Sequence, residues 1–131
     1  MAQIILYLFF IVDLIMLKMK IEYYIDSKNK SPVLEYIKNL PVRDVAFIQA
    51  KIAWAGNNNQ FTRDFFTKFK GMNLDLGEFR TGSYRIIVLR TSTDSFLMLH
   101  AFRKTTNETP EREIKIAYNR AIDYLRRNPF Q

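Results

Sequence analysis

The chain has 131 residues, 48% hydrophobic and 15% aromatic, so it fits one domain with a real core and is not compositionally disordered. Its 20 Lys+Arg against 13 Asp+Glu leave a formal charge of +7, which suits nucleic acid, ribosome, anionic membrane or an acidic protein, or else a solvated basic surface. With no cysteine and one histidine, a disulfide framework, thiolate chemistry and zinc sites built on Cys or His are excluded.

Residues 1–18 (MAQIILYLFFIVDLIMLK) differ from the rest. Ile4 to Val12 is continuously apolar, Asp13 interrupts the run, and Leu14 to Leu17 resume it. A membrane span needs about 20 apolar residues, and Asp13 inside one costs roughly 3 kcal/mol. A secretory signal also fits poorly, because no Lys or Arg precedes the run and no small-residue cleavage site follows it. The favoured reading is an upstream extension, with translation starting at Met16 or Met19, ahead of an extra helix on the domain and then a membrane anchor. Removing the segment takes away Asp13 and Lys18 together, so the charge stays +7.

Lys20 to Ile25 (KIEYYI) alternates as a short strand, with Ile21, Tyr23 and Ile25 on one face and Glu22 and Tyr24 on the other. A polar loop at Asp26 to Lys30 leads to Ser31-Pro32, a helix start with Ser as N-cap and Pro at the first helical position. Val33, Leu34, Ile37 and Leu40 form the apolar stripe of that helix, and Pro41 stops it. A second helix begins near Val42 and places Val45, Ile48, Ile52 and Ala55 at helical spacing, up to Gly56-Asn57-Asn58-Asn59. Phe61 to Lys70 reads either as a short helical turn or as an ordered aromatic loop, closed by Gly71.

Three strands follow, Asp75 to Arg80, Tyr84 to Thr91 and Ser95 to Arg103, with turns at Thr81-Gly82-Ser83 and Ser92-Thr93-Asp94. Alternation puts Tyr84, Ile86 and Val88 on one face and Arg85, Ile87 and Leu89 on the other, and such short connections make an antiparallel meander. Thr109-Pro110 opens a last helix with Glu111 and Glu113 in its first turn, where the helix dipole favours acids. Ile114, Ala117, Ala121, Ile122 and Leu125 give its apolar side, Lys115, Arg120, Arg126 and Arg127 a basic one, and Pro129 ends it. The expected order is β-α-α-β-β-β-α, a small α+β domain in which a sheet packs against helices.

Residues 76–110 carry the chemistry. Arg80 and Arg85, on strands joined by a tight turn, can converge on one phosphate with two planar forks of donors, or can be solvated partners of Glu78 and Asp75. His100, inside the apolar LMLHAF run, reads as a hydrogen-bonded core residue or as a catalytic group. Arg103 and Lys104 end their strand where a cation can reach a substrate or guard a sheet edge. Glu78 is either a general base or the ion-pair partner of the cations around it. The Tyr84 ring can stack on a base or pack in the core, and the basic face of the last helix, with Lys115 and Arg120, can meet nucleic acid or solvent.

The ordered segments SPVLEYIKNLP, LGEFR, YRI, LMLHAF and RKTTNETPEREI resemble the RelE/HigB superfamily of toxins from bacterial toxin–antitoxin modules, and most of all its phage-derived, HigB-like branch. The resemblance spans about residues 19–127 and is most specific in LHAFRKTTNETP. It implies the same element order, a start at the first strand, and a cytoplasmic toxin held inactive by a cognate antitoxin with a helix-turn-helix domain, like HigA. It further implies mRNA cleavage in the ribosomal A site with no metal or other cofactor, by attack of a 2′-OH on the adjoining phosphate. Arg85, in the YRI element, is then the phosphate ligand, with Arg80 the second candidate and Lys104 or Arg103 near the cation that closes the last strand. Two departures stand: the strand before the turn carries Leu76 and Glu78 where RelE itself has lysines, and no tyrosine matches a catalytic one, since Tyr118 lies within the last helix. Glu78 and His100 are left as candidates for base and acid. A different outcome is a non-catalytic binding module of this fold, like the ParE gyrase inhibitors, or an inactive phage relic.

Overall fold

In the computed structural model, which describes residues 3–4, 19–57 and 66–129, the chain runs β1 (Lys20–Tyr23), α1 (Pro32–Lys38), α2 (Val42–Asn57), β2 (Phe66–Lys68), β3 (Leu76–Thr81), β4 (Tyr84–Ser92), β5 (Ser95–Arg103) and α3 (Glu111–Arg127). The five strands form one sheet in the order β1-β5-β4-β3-β2. β3, β4 and β5 are the expected antiparallel meander, and β1 joins β5 in parallel. Fold class is α+β, with one strand more than the sequence suggested. The N-terminal extension lies outside the described residues apart from residues 3–4, and among the described residues no helix is long and apolar enough to cross a membrane.

Each face of the sheet carries its own apolar layer. Ile86 and Val88 of β4 pack with Val33 and Ile37 of α1 and with Val45, Ile48, Ile52 and Ala55 of α2. Ile87 and Leu89 pack on the opposite side with Ala117 and Ala121 of α3. The strand's period of two decides this division, because neighbouring side chains leave a pleated sheet in opposite directions. The Ser31 hydroxyl accepts from the Leu34 N–H at 3.3 Å and caps α1, with Pro32 beside it as expected.

Three local expectations need correction. β1 ends at Tyr23 rather than Ile25, so Ile25 is exposed instead of sharing the face of Ile21. The segment read as a helical turn or aromatic loop ends in a strand: Phe61 to Phe65 lie outside the described residues, but Phe66–Lys68 is β2, antiparallel to β3. Phe66 is drawn there by a vacancy on its neighbour. A Cβ on Gly77 would sit 2.3 Å from the Phe66 ring, so the ring lies directly over the glycine backbone. Third, Arg120 does not join a solvated basic face, because it turns inward to the sheet.

A bulge in β5 matters for all that follows. Ile87 pairs with His100 while Val88 pairs with Met98, leaving Leu99 as the extra residue. Leu97 and Leu99 face α3 before the bulge, and His100 and Phe102 face it afterwards. Strict alternation would have put His100 beside Phe96 and Met98 in the other layer.

Phe66 is buried and meets Phe96 edge-on at 5.9 Å, so it cannot swing away from an added methyl. Gly77→Ala is therefore expected to destabilise the fold by about 1–3 kcal/mol, read as a lower denaturant midpoint with an unchanged slope. A midpoint equal to that of the parent would mean that β2 does not pack as described.

Candidate functional site

The α3 side of β3 and β4 gathers most of the candidate residues. Along β3, Glu78 and Arg80 point to one face; opposite them, Ile87 pairs with Glu78 and Arg85 with Arg80. The turn that brings the two arginines together is Gly82-Ser83. Gly82 has φ 66 and Ser83 has no positive φ, the arrangement of a type II′ hairpin with glycine first. Lys104 leaves the end of β5 with its N–H donating to the Ser83 carbonyl at 2.8 Å, which ties it to the same hairpin.

Glu78 is the centre of the group. Its side chain is only 4% exposed, and Arg80 Nε lies 3.6 Å and Lys104 Nζ 3.8 Å from Oε2, with Arg85 Nε 3.9 Å from Oε1. The Thr109 hydroxyl donates to Oε1, so the residue just ahead of α3 is bound to the same carboxylate. A buried carboxylate needs such partners, and three cations around one acid leave an excess of positive charge for an anion. The cations differ in freedom. Arg80 is 53% exposed, whereas Arg85 and Lys104 are 15% and 12% exposed. Arg85 is further held by Nη1, which donates to the Gly82 carbonyl and, at 3.0 Å, to that of Tyr84. Its Nε is buried without a hydrogen bond and faces Glu78 Oε1 from 3.9 Å.

His100 shares this face but not the cluster, for Ile87 stands between it and Glu78 across the sheet. Its Nδ1 faces Arg120 Nη1 at 3.1 Å and its Nε2 faces Glu113 Oε1 at 3.2 Å. A guanidinium can only donate, so Nδ1 is the acceptor and Nε2 carries the proton. Arg120 also donates to the Leu99 carbonyl at 2.9 Å, and the His100 ring stacks on Phe102. Burial pushes the His100 pKa below its ordinary 6.5, with Arg120 adding to that and Glu113 opposing it. The imidazole is neutral at pH 7 and both its nitrogens are occupied by α3.

The remaining candidates are dispersed. Tyr84 points to the α1 and α2 side, where its hydroxyl donates to Asp44 Oδ2 at 2.8 Å and its ring meets Tyr36 edge-on. Arg103, which pairs with Tyr84, lines a depression on that side with Arg43, Phe47 and the hairpin turn. Lys115 is exposed on α3, and Arg120 is committed to His100. The sequence reading missed Thr109 and Glu113 as partners of Glu78 and His100. Their only signal was their place at the start of α3, which suggests caps and dipole effects rather than contacts with distant strands.

His100 makes the site testable by pH. Its folded pKa lies below the unfolded value, so the unfolded chain binds more protons between the two, and stability rises with pH across that window. His100 should therefore add a loss of stability as pH falls from about 6.5 toward the lowered value. As the single histidine, it gives an unambiguous NMR titration, expected to show a depressed midpoint and the Nε2-protonated tautomer. A midpoint above 6.5 would contradict this arrangement, as would an acid loss of stability that is identical in His100→Asn.

The family model described as "Phage derived protein Gp49-like (DUF891)" matches residues 35–121, from within α1 to within α3. Among curated proteins, none matches the chain significantly. The matched stretch covers most of the chain and contains Glu78, Arg80, Arg85, His100, Lys104 and Thr109, so the protein belongs to the phage-derived Gp49-like family, a family of RelE/toxin-like proteins.

Proposed function

We propose that this protein is the toxin of a type II toxin–antitoxin module and acts as a metal-free, ribosome-dependent endoribonuclease on mRNA. The observation that carries the reading is the convergence of Arg80, Arg85 and Lys104 around the buried Glu78. In the reaction the 2′-OH of one nucleotide attacks the adjoining phosphorus and loses its proton. The bond from phosphorus to O5′ breaks, a 2′,3′-cyclic phosphate forms, and the departing O5′ takes up a proton. Negative charge grows on the phosphoryl oxygens in the transition state, and donors already held in place stabilise it without reorganising.

Arg85 is the central phosphate ligand, its guanidinium fixed in place by Glu78 and by the carbonyls of Gly82 and Tyr84. Arg80, half out in solvent, closes on the substrate from the open side, and Lys104 adds a point charge from β5. Glu78 is a positioning residue, since its oxygens already serve Thr109 and three cations. His100 positions α3 through Glu113 and Arg120. Of the further RNA contacts, Lys115 lies on the exposed face of α3, whereas Arg103 and Tyr84 serve RNA only where it passes over the hairpin to the other side of the sheet. The partner in this reading is a cognate helix-turn-helix antitoxin of HigA type, and the place of action is the cytoplasm.

One observation favours the rival reading of a non-catalytic toxin of the same fold, in the manner of a gyrase inhibitor: Glu78 and His100, the two candidate proton carriers, are both taken up by internal partners. Induction of the chain from Met19, with mapping of mRNA 5′ ends, separates the two. Growth arrest with new 5′ ends is expected, and Arg85→Ala should lower cleavage about 10²- to 10³-fold, with Arg85→Lys, which keeps a cation beside Glu78, as the control for folding. Arrest without new ends would hand the case to the rival, and full cleavage by Arg85→Ala would remove the phosphate role.

A further inference from the structure

The α3 side of the sheet is only partly covered. α3 lies against β4 and β5, and on its other flank a groove of about 610 Å³ runs between the helix and the loop that follows β2. That volume suits a small organic group, since ligand pockets span about 300–1,000 Å³. Its walls are Phe69 and Met72 from the loop and Ile114 and Tyr118 from α3, all half-buried. The Tyr118 hydroxyl donates to Asn73 Oδ1 at 3.2 Å, which holds the ring across the groove. Gly71 turns at φ 76, and a Cβ there would meet nothing within 4 Å, so the loop leaves the mouth open.

Charge identifies the occupant. Lys70 and Lys115 stand exposed at the groove, and Glu111 is the one acid among its lining residues. The groove ends at the start of α3, two residues from Thr109, whose hydroxyl is bound to Glu78. An aromatic-walled slot with cations at the rim is the arrangement that single-stranded nucleic acid uses, base in the slot and backbone along the charges. The Glu111 carboxylate, exposed at the end of the groove where α3 begins, can accept from the exocyclic amine of a base seated there.

The geometry points to this groove as a nucleobase subsite: it takes the base next to the phosphate held by Arg80, Arg85 and Lys104, and Glu111 selects adenine, cytosine or guanine over uracil by accepting from the exocyclic amine that uracil lacks. The inference rests on the RNA-cleaving reading and adds to it a source of sequence preference.

Binding of pentanucleotide RNAs with a 2′-deoxy sugar at the cleaved position, each varied at one flanking base, tests it by fluorescence anisotropy. The parent should bind an amine-bearing base at one flanking position more tightly than uracil. Glu111→Gln, at an exposed site where folding is not at risk, should bring that ratio toward one. Lys115→Ala should weaken all sequences alike and flatten the salt dependence, and Phe69→Leu should weaken the preferred RNA about tenfold. Arg85→Ala is the separate arm, expected to weaken every RNA while keeping the preference. Glu111→Gln and Phe69→Leu proteins that bind and discriminate like the parent overturn the subsite, and if Arg85→Ala still abolishes cleavage the nuclease reading survives that result. A parent protein that binds none of the RNAs overturns the subsite, while the nuclease reading stands or falls on the mapping of mRNA 5′ ends.

Discussion

A carboxylate taken out of water must be compensated where it stands, and Glu78 is compensated from four directions. Arg80 comes from its own strand, Arg85 from the next strand, Lys104 from the end of β5 and Thr109 from the residues leading into α3. One buried charge thus joins three strands to the start of a helix that is far away in sequence. The same carboxylate restrains three cations that would otherwise repel one another and spread into solvent. Fold and proposed chemistry therefore depend on a single group, which holds its cations close together yet leaves positive charge in excess.

The second constraint is the bulge at Leu99. By adding one residue to β5 it moves His100 from the layer beneath α1 and α2 to the side of α3. There the ring is gripped between Glu113 and Arg120, about two turns apart on the helix, and α3 is docked over β4 and β5. α3 lies against β4 and β5, and the groove on its other flank opens toward the loop that follows β2. Tyr118 and Asn73 then bridge the gap at one level, and Phe69 and Met72 form its far wall. Bulges often occur where a strand must re-aim a side chain, and here the re-aimed residue anchors a helix.

Much of the fold was legible along the chain because local rules decided it. Ser31-Pro32 had to start a helix, Val45, Ile48, Ile52 and Ala55 had to share a face, and Gly82-Ser83 had to turn a hairpin, whatever lay beyond them. β2 was not legible. Its three residues carry no strand period of their own, and Phe66 settles there only because Gly77 on the facing strand leaves room for the ring. The inward turn of Arg120 was hidden for a similar reason. Helical spacing placed it with Lys115 and Arg126, but the partner that draws it in, His100, reaches α3 only through a bulge in another strand.

Of the candidate site, the sequence by itself determined the inventory: cations at Arg80, Arg85 and Lys104, one acid among them at Glu78, and a single histidine on a neighbouring strand. Strand alternation and the tight turn were enough to place Arg80 and Arg85 on one face, since both effects act within a few residues. What Glu78 and His100 do there was decided by tertiary structure alone. Both are defined by contacts with Thr109, Glu113 and Arg120, which arrive from 13 to 31 residues away. No local period encodes such contacts, because they depend on where α3 lies once both faces of the sheet have been covered.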